Sequence, residues 1–309
     1  MLRSALLAAS RSPSLRTVVE KLPPTRTIID RFVAGDALAQ AVAVCDSLVA
    51  SGCRVTLDHL GEDTLDATQA TATAEAYEKL LAALKETGLA ANADVSVKLS
   101  AVGQFLPADG EKVALDNAYR ICAAAADTGT TVTLDMEDHT TTESTLGIAR
   151  ELRADFPWLG VVLQAYLHRT EADCRDLAGA GSRVRLCKGA YQEPASVAFQ
   201  RKREVDQAFM RCLEVLMAGE GYPMLASHDP RMISHARQMA ERHSRRNDTF
   251  EYQMLYGIRP DEQQRIVTRG DTMRVYLPYG QAWYGYFMRR LAERPANLGF
   301  FLRALATRS

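Results

Sequence analysis

No two cysteines in this 309-residue chain have CxxC spacing, and no Cys/His cluster has the spacing of a zinc site. Redox-motif and structural-zinc readings are therefore excluded. The six cysteines (Cys45, Cys53, Cys122, Cys174, Cys187 and Cys212) read as reduced, mostly buried small hydrophobes of a cytosol-like compartment. No apolar run approaches the ~20 residues that cross a bilayer as a helix. Neither sign of charge prevails. With 37 basic and 38 acidic side chains the formal net charge is -1, so no global field draws the chain to nucleic acid or an anionic membrane. A GxGxxG after the first strand segment and a GxxxxGK(S/T) are also missing, so a glycine-rich phosphate cradle has no support.

What is present is the composition of an ordinary globular protein, in a chain long enough for a large α/β core. The first twenty residues carry Arg3, Arg11 and Arg16 with no acid before Glu20. They lack the apolar run of a secretory signal. A short helix packed on the domain is the preferred reading, ahead of a weak amphipathic targeting segment. Residues 1–50 read as an N-terminal helical segment, broken at Pro23–Pro24, with a second helix over 35–50.

From residue 51 a rhythm sets in. CRVTLDHLG, DVSVKLSAVG, TTVTLDMED, WLGVVLQAYL, SRVRLCKGAY, YPMLASHD, DTFEYQMLYG and TMRVYLPYG each read as a strand, and each is followed by a helical stretch. The longest such stretch covers 193–219. Gly88, Gly129 and Gly219 suit positions just past helix ends. Short strands separated by helices imply βαβ crossovers and a parallel sheet. Eight units over residues 51–309 predict a (β/α)8, TIM-like barrel, with an open doubly wound sheet as the structural rival.

Within the strands, residues i and i+2 share a face. Val95 and Val97 alternate with Ser96 and Lys98, Val132 and Leu134 with Thr133 and Asp135, Val161 and Leu163 with Val162 and Gln164. Val184 and Leu186 alternate with Arg183 and Arg185, and Val275 and Leu277 with Arg274 and Tyr276. The apolar set should face the outer helices and the polar set the interior or rim. The polar residues come late in each segment or just past it, as Lys188, His228 and Asp229 do, where barrel enzymes keep their chemistry. Each also has a plainer reading. Lys98 and Asp135 fit a structural ion pair, Gln164 a partner for backbone groups, Arg185 a salt bridge to Glu62 or Asp58, and Tyr276 core packing. His59 and His139 read as loop or packing residues, and His168, His235 and His243 as ordinary helix or surface residues.

The last helical stretch, WYGYFMRRLAER, places Trp283, Phe287 and Leu291 on one apolar stripe. Arg289 and Arg290 follow in succession, about 100° apart around the helix. If that helix lies across the barrel mouth, two guanidinium forks suit bidentate capture of one carboxylate. Glu293, one turn beyond Arg289, is placed to orient it.

In order, TLDHLGED, SVKLSAVG, TLDMED, VLQAYL, RVRLCKGAY, ASHD, EYQMLYG, RVYLPYG and FMRRLAER resemble the proline dehydrogenase family, over residues 54 to about 295. The resemblance implies a distorted barrel whose final helix sits over the mouth. It implies a non-covalent FAD and oxidation of L-proline to Δ1-pyrroline-5-carboxylate, with electrons passed to a membrane quinone or similar acceptor. It assigns the proline carboxylate to Arg289 and Arg290, supported by Glu293, with Lys98 approaching it and Asp135 beside Lys98. Tyr276 would line the proline ring pocket with Leu255 near it. Arg185 would lie near the flavin N5 and O4, and Gln164, Lys188, Ser227 and His228 would contact the cofactor.

Two departures stand out. Gln192 follows KGAY where the family often has Trp, and Cys187 stands where an aliphatic residue is common. Tyr276 favours proline over hydroxyproline, since relatives preferring the latter carry a smaller residue there. The chain does not extend into the aldehyde dehydrogenase and DNA-binding regions of some relatives. A separate pyrroline-5-carboxylate/glutamate-semialdehyde dehydrogenase is therefore the expected partner, with no nucleic acid. The expected location is the cytoplasm, with peripheral contact at the inner face of the membrane. Two other readings remain open on the residues alone. One is a lyase or aldolase using Lys98 as a Schiff base; the other is a non-catalytic module that binds proline.

Overall fold

The alternation along the eight segments closes them into a barrel. The computed structural model describes residues 29–61 and 64–293, the stretch 289–293 by its backbone alone. Its strands are β1 (Arg54–His59), β2 (Ala93–Val97), β3 (Val132–Leu134), β4 (Gly160–Gln164), β5 (Arg183–Cys187), β6 (Tyr222–Ala226), β7 (Glu251–Leu255) and β8 (Met273–Tyr279). They pair in chain order, all parallel, and β8 returns to β1 with Thr56 opposite Tyr276. The predicted (β/α)8 barrel is therefore the architecture, and the doubly wound alternative falls.

Val55, Leu57, Val95, Val97, Leu134, Val184, Leu186, Val275 and Leu277 form the sheet's outer, apolar face and are fully buried beneath the helices. The helices answer with one apolar stripe each. In α2 (Ala67–Glu86) that stripe is Ala70, Ala74, Tyr77, Leu80, Leu81 and Leu84. Asp66 caps α2 by accepting from the Gln69 N–H at 2.9 Å, and Gly88 leaves it with φ +73°. Helices α3 (Gly110–Thr128), α4 (Thr142–Leu152), α5 (Thr170–Asp176), α6 (Lys202–Ala218), α7 (Pro230–Arg242) and α8 (Pro260–Thr268) follow β2 to β7 in turn.

Two local expectations fail. The helix predicted from 193 begins at Lys202, because 193–201 is a strap with a turn after Pro194 and an antiparallel bridge from Ala198 to Leu167. There the Phe199 N–H donates to Tyr166 O at 2.8 Å, and the His168 N–H donates to Val197 O at 2.9 Å. Gly219 does not take the left-handed conformation of a helix end, having φ -76°. It is needed for space, since a Cβ there would run into the carbonyl of Ala178.

A helix before β1, α1 (Leu38–Ala50), packs across both β1 and β8 and so covers the seam where the barrel closes. The helix after β8, α9 (Trp283–Glu293), is left to pack elsewhere. Trp283, Tyr284, Tyr286, Phe287 and Met288 join Leu60, Ile258 and the segment Ile29, Phe32 and Val33 in a second apolar cluster. Burial of Phe287 alone is worth about 1.5–3 kcal/mol. The segment is also pinned by backbone. Ala34 N–H donates to Pro278 O and Gly280 N–H to Gly35 O, both at 2.9 Å. Arg31 lays its carbonyl against Gly257, which has φ +72° and no room for a Cβ. The predicted break at Pro23–Pro24 lies outside the described residues.

Candidate active site

The parallel strands bring their C-terminal ends to one rim, and the inward side chains there are polar. Asp58 lies in β1 one residue before its end, Lys98 follows β2, Asp135 follows β3, Gln164 ends β4, Arg185 lies in β5, Leu255 ends β7 and Tyr276 lies in β8. With Lys188, Ser227 and His228 they line a cavity of about 320 Å³, at the small end of ligand pockets. Every strand-borne residue expected at the site is therefore in one place. The side chains of Arg289, Arg290 and Glu293 lie outside the described residues.

Asp135 is the hub. Its Oδ1 accepts from Arg185 Nη1 at 2.8 Å and Ser96 Oγ at 2.7 Å, and its Oδ2 accepts from Tyr276 Oη at 2.7 Å, with Lys98 Nζ at 3.5 Å. Burial pushes the Asp135 carboxyl up, but Lys98 and Arg185 outweigh it and hold the group below the usual carboxylate range. Asp135 is thus an ionised organiser with its lone pairs committed, not a general base.

Lys98 binds Asp58 first, at 2.9 and 3.0 Å, and Asp135 only at the longer distance. The expected Lys98–Asp135 pair is the weaker half of a three-member cluster. Asp58 was foreseen only as a partner for Arg185, but it sits on the strand next to Lys98, while Arg185 reaches Asp135 from across the barrel. Burial alone would lower the Lys98 pKa; the two carboxylates reverse this and raise it above the ordinary lysine value. A lysine held charged is a poor Schiff-base nucleophile, so the lyase reading loses its central residue. Burial, then Asp135, pushes the Tyr276 hydroxyl well above its usual pKa, so it stays protonated and donates.

Arg185 lines the cavity and is 4% exposed, and its Nη2 has no hydrogen-bond partner among the described residues although Nε and Nη1 are both engaged. A buried guanidinium N–H left unpaired is costly. It suits a ligand carrying an acceptor atom.

The remaining positions differ in character. Lys188 binds Asp206 at 2.5 Å and Asp229 at 2.9 Å at the edge of the cavity. Gln164 donates to Glu137 O at 2.6 Å, so part of its amide does serve the backbone. His228 accepts from the Leu255 N–H through Nε2 at 3.0 Å, which requires that nitrogen to be unprotonated. Ser227 Oγ accepts from the Asp229 N–H at 3.2 Å. Cys187 lines the cavity, its thiol pushed up to about 11 by burial, and so behaves as a small neutral group. Gln192 is exposed and does not line the cavity; its neighbour Tyr191 does. His59 packs edge-on to Tyr77 and Tyr279, and His139 ties the strap through Glu193, both as packing and loop residues.

Sequence reading missed Glu251 and Gln253, inward-facing residues of β7. Alternation in EYQML would have found them, as it found Arg183 and Arg274 in their strands. A depression of about 500 Å³ at the other end of the barrel carries no comparable chemistry. Its main cation, Arg245, donates to the carbonyls of Leu216, Met217, Gly219, Gly221 and Thr249.

Comparison with known proteins agrees with this geometry. Residues 41–303 match the family model described as proline dehydrogenase. The chain is 40% identical over 305 residues to proline dehydrogenase 1 of Bacillus subtilis (strain 168), covering 99% of each chain. It is 38% identical over 307 residues to the proline dehydrogenase of Deinococcus radiodurans, covering 98% of this chain and 97% of that one. Among solved structures, proline utilization A (PutA) of Bdellovibrio bacteriovorus, inactivated by N-propargylglycine, superposes with a TM-score of 0.80 at 25% identity. The match covers 86% of this chain and 32% of that one.

Proposed function

The chain belongs to the proline dehydrogenase family, and on that premise we propose that it oxidises L-proline to Δ1-pyrroline-5-carboxylate using a non-covalently bound FAD. The observation that carries this reading is the convergence of Lys98, Arg185 and Tyr276 on Asp135 at the cavity, with Arg185 Nη2 left without a partner among the described residues. That spare donor fits the acceptor-rich edge of a flavin. Arg185, Gln164, Lys188, Ser227 and His228 would hold the cofactor. A flavin held there would supply the two-electron acceptor for the hydride that leaves proline C5.

The chain's own groups do the rest. Loss of the C5 hydride leaves a C5=N double bond, so the amine must enter with its lone pair free. Lys98 and Arg185 neutralise Asp135, so this carboxylate does not hold a proton on that amine. Tyr276 and Leu255 bound the ring. Arg289 and Arg290, on the last helix, would be the carboxylate clamp of this proposal, with Glu293 in support, as the family resemblance implies. The electrons pass on to a quinone-type acceptor, and the product to a separate dehydrogenase. No helix among the described residues is long and apolar enough to cross a membrane, and peripheral contact from the cytoplasmic side would serve quinone reduction.

The test is an anaerobic visible spectrum before and after L-proline. A flavin band that bleaches supports the proposal. A band that persists with proline but bleaches with another cyclic amine changes the substrate, and no band after reconstitution with FAD overturns the cofactor assignment.

A further inference from the structure

Arg185 owes its orientation to a residue that does not line the cavity with any charge of its own. Its Nε donates to Gln253 Oε1 at 2.7 Å, while Nη1 donates to Ser96 Oγ and Asp135 Oδ1, both at 2.8 Å. These fixed points hold the guanidinium of Arg185, a residue of the cavity lining, in one orientation and leave Nη2 as its unengaged nitrogen. Gln253 can accept from Nε only if its amide oxygen faces Arg185; with the amide turned over, two donors would meet.

What forbids that turn is Glu251, two residues earlier on the same face of β7. Glu251 Oε1 accepts from Gln253 Nε2 at 2.6 Å and from Arg274 Nε at 2.7 Å, and Tyr222 Oη is 3.1 Å from Oε2. The residue is fully buried. Burial raises its pKa, but Arg274 prevails and brings it down to about 2. Glu251 is therefore a carboxylate at any working pH, able only to accept. Arg274 is fixed in turn by Val55 O at 3.0 Å and Asp94 at 3.2 Å. Donation thus converges on Glu251: from the rim Arg185 donates to Gln253 and Gln253 to Glu251, and from the base Arg274 donates to Glu251.

We propose that Gln253, held in one amide orientation by Glu251, is a positioning residue that aims Arg185 at the ligand. This rests on the flavin reading above.

The test compares the parent with Gln253→Met, which keeps volume and leaves the Glu251–Arg274 pair intact, and with Glu251→Gln, which gives residue 251 a donor. Flavin midpoint potential, FAD dissociation constant, kcat and KM for L-proline are measured in each. Arg185 would stabilise negative charge on reduced flavin. The expected result is therefore a roughly tenfold less favourable reduction, about 30 mV for a two-electron couple, with kcat down about tenfold and KM within twofold. The Glu251→Gln/Gln253→Met double variant should be no worse in potential than Gln253→Met alone, because both act through one bond. A merely structural role would lower Tm and leave the potential at the parent value, and that result overturns the proposal. If Glu251→Gln does not fold, Gln253→Met decides alone. A parent that binds no flavin overturns the functional reading and this inference together; a parent that bleaches with proline beside variants of unchanged potential overturns the inference only.

Discussion

Arg274 and Arg185 lie on strands of one barrel, both about 95% buried, both bonded to a buried carboxylate. Near the base, Arg274 engages Glu251, Asp94 and Val55 O, and none of its own nitrogens is a buried donor without a partner. Near the rim, Arg185 lines the cavity, engages Asp135, Ser96 and Gln253, and still has Nη2 unpaired among the described residues. Charge, burial and residue type do not separate structure from site here. The separating property is whether the donors and acceptors close. A closed network spends its interactions on the fold; an open one holds an interaction ready for a ligand.

The comparison is broken most severely at the base. Arg274→Met leaves Glu251 and Asp94 without their shared cation, and should destabilise the protein by about 3–5 kcal/mol, read by denaturant unfolding. A loss under about 1 kcal/mol would mean the base network is not what holds that end together. At the rim the effect should move from stability to activity. Arg185→Met should lower kcat/KM for L-proline by about 100-fold with a smaller loss of stability than Arg274→Met; the reverse ranking would erase the distinction.

The acid limb of stability sharpens the contrast further. Glu251 has its pKa brought down from about 4.5 to about 2 in the fold. Its contribution is therefore present above about pH 4.5 and is lost as pH falls through about 2. Glu251→Gln should flatten the fall in unfolding free energy across that window, and an unchanged slope would remove Glu251 as its source. The smallest effect is expected from Tyr276→Phe. Removing one hydroxyl from the Asp135 hub should cost about 1–2 kcal/mol, and the shift of KM for L-proline should exceed any change in FAD affinity.

Much of this was legible beforehand because period-2 alternation is a strong signal when both faces of a strand are buried in different media. Val95 and Val97 against Ser96 and Lys98 told the barrel's outside from its inside. Which carboxylate meets which cation was not legible, because Asp58, Lys98 and Arg185 come from β1, the end of β2 and β5, and their pairing depends on strand order and stagger. Gln253 was passed over because a neutral amide in a strand carries no charge to mark it. The strap at 193–201 was misread as helix because its role is set by partners, Tyr166 and His168, distant in sequence.

The segment at 29–35 has a consequence for how the chain reaches this state. Its partners are Pro278, Gly280, Gly257 and the apolar side chains of α9, and α1 behind it needs β8 as well as β1. On the ribosome these residues emerge almost a whole barrel ahead of the surface that will bury them. At ~5–20 residues per second the wait is on the order of ten seconds or longer. During it Ile29, Phe32 and Val33 lack the surface that buries them in the folded chain. Seating them is coupled to closure of β1 on β8, a contact of high sequence separation and so a slow one.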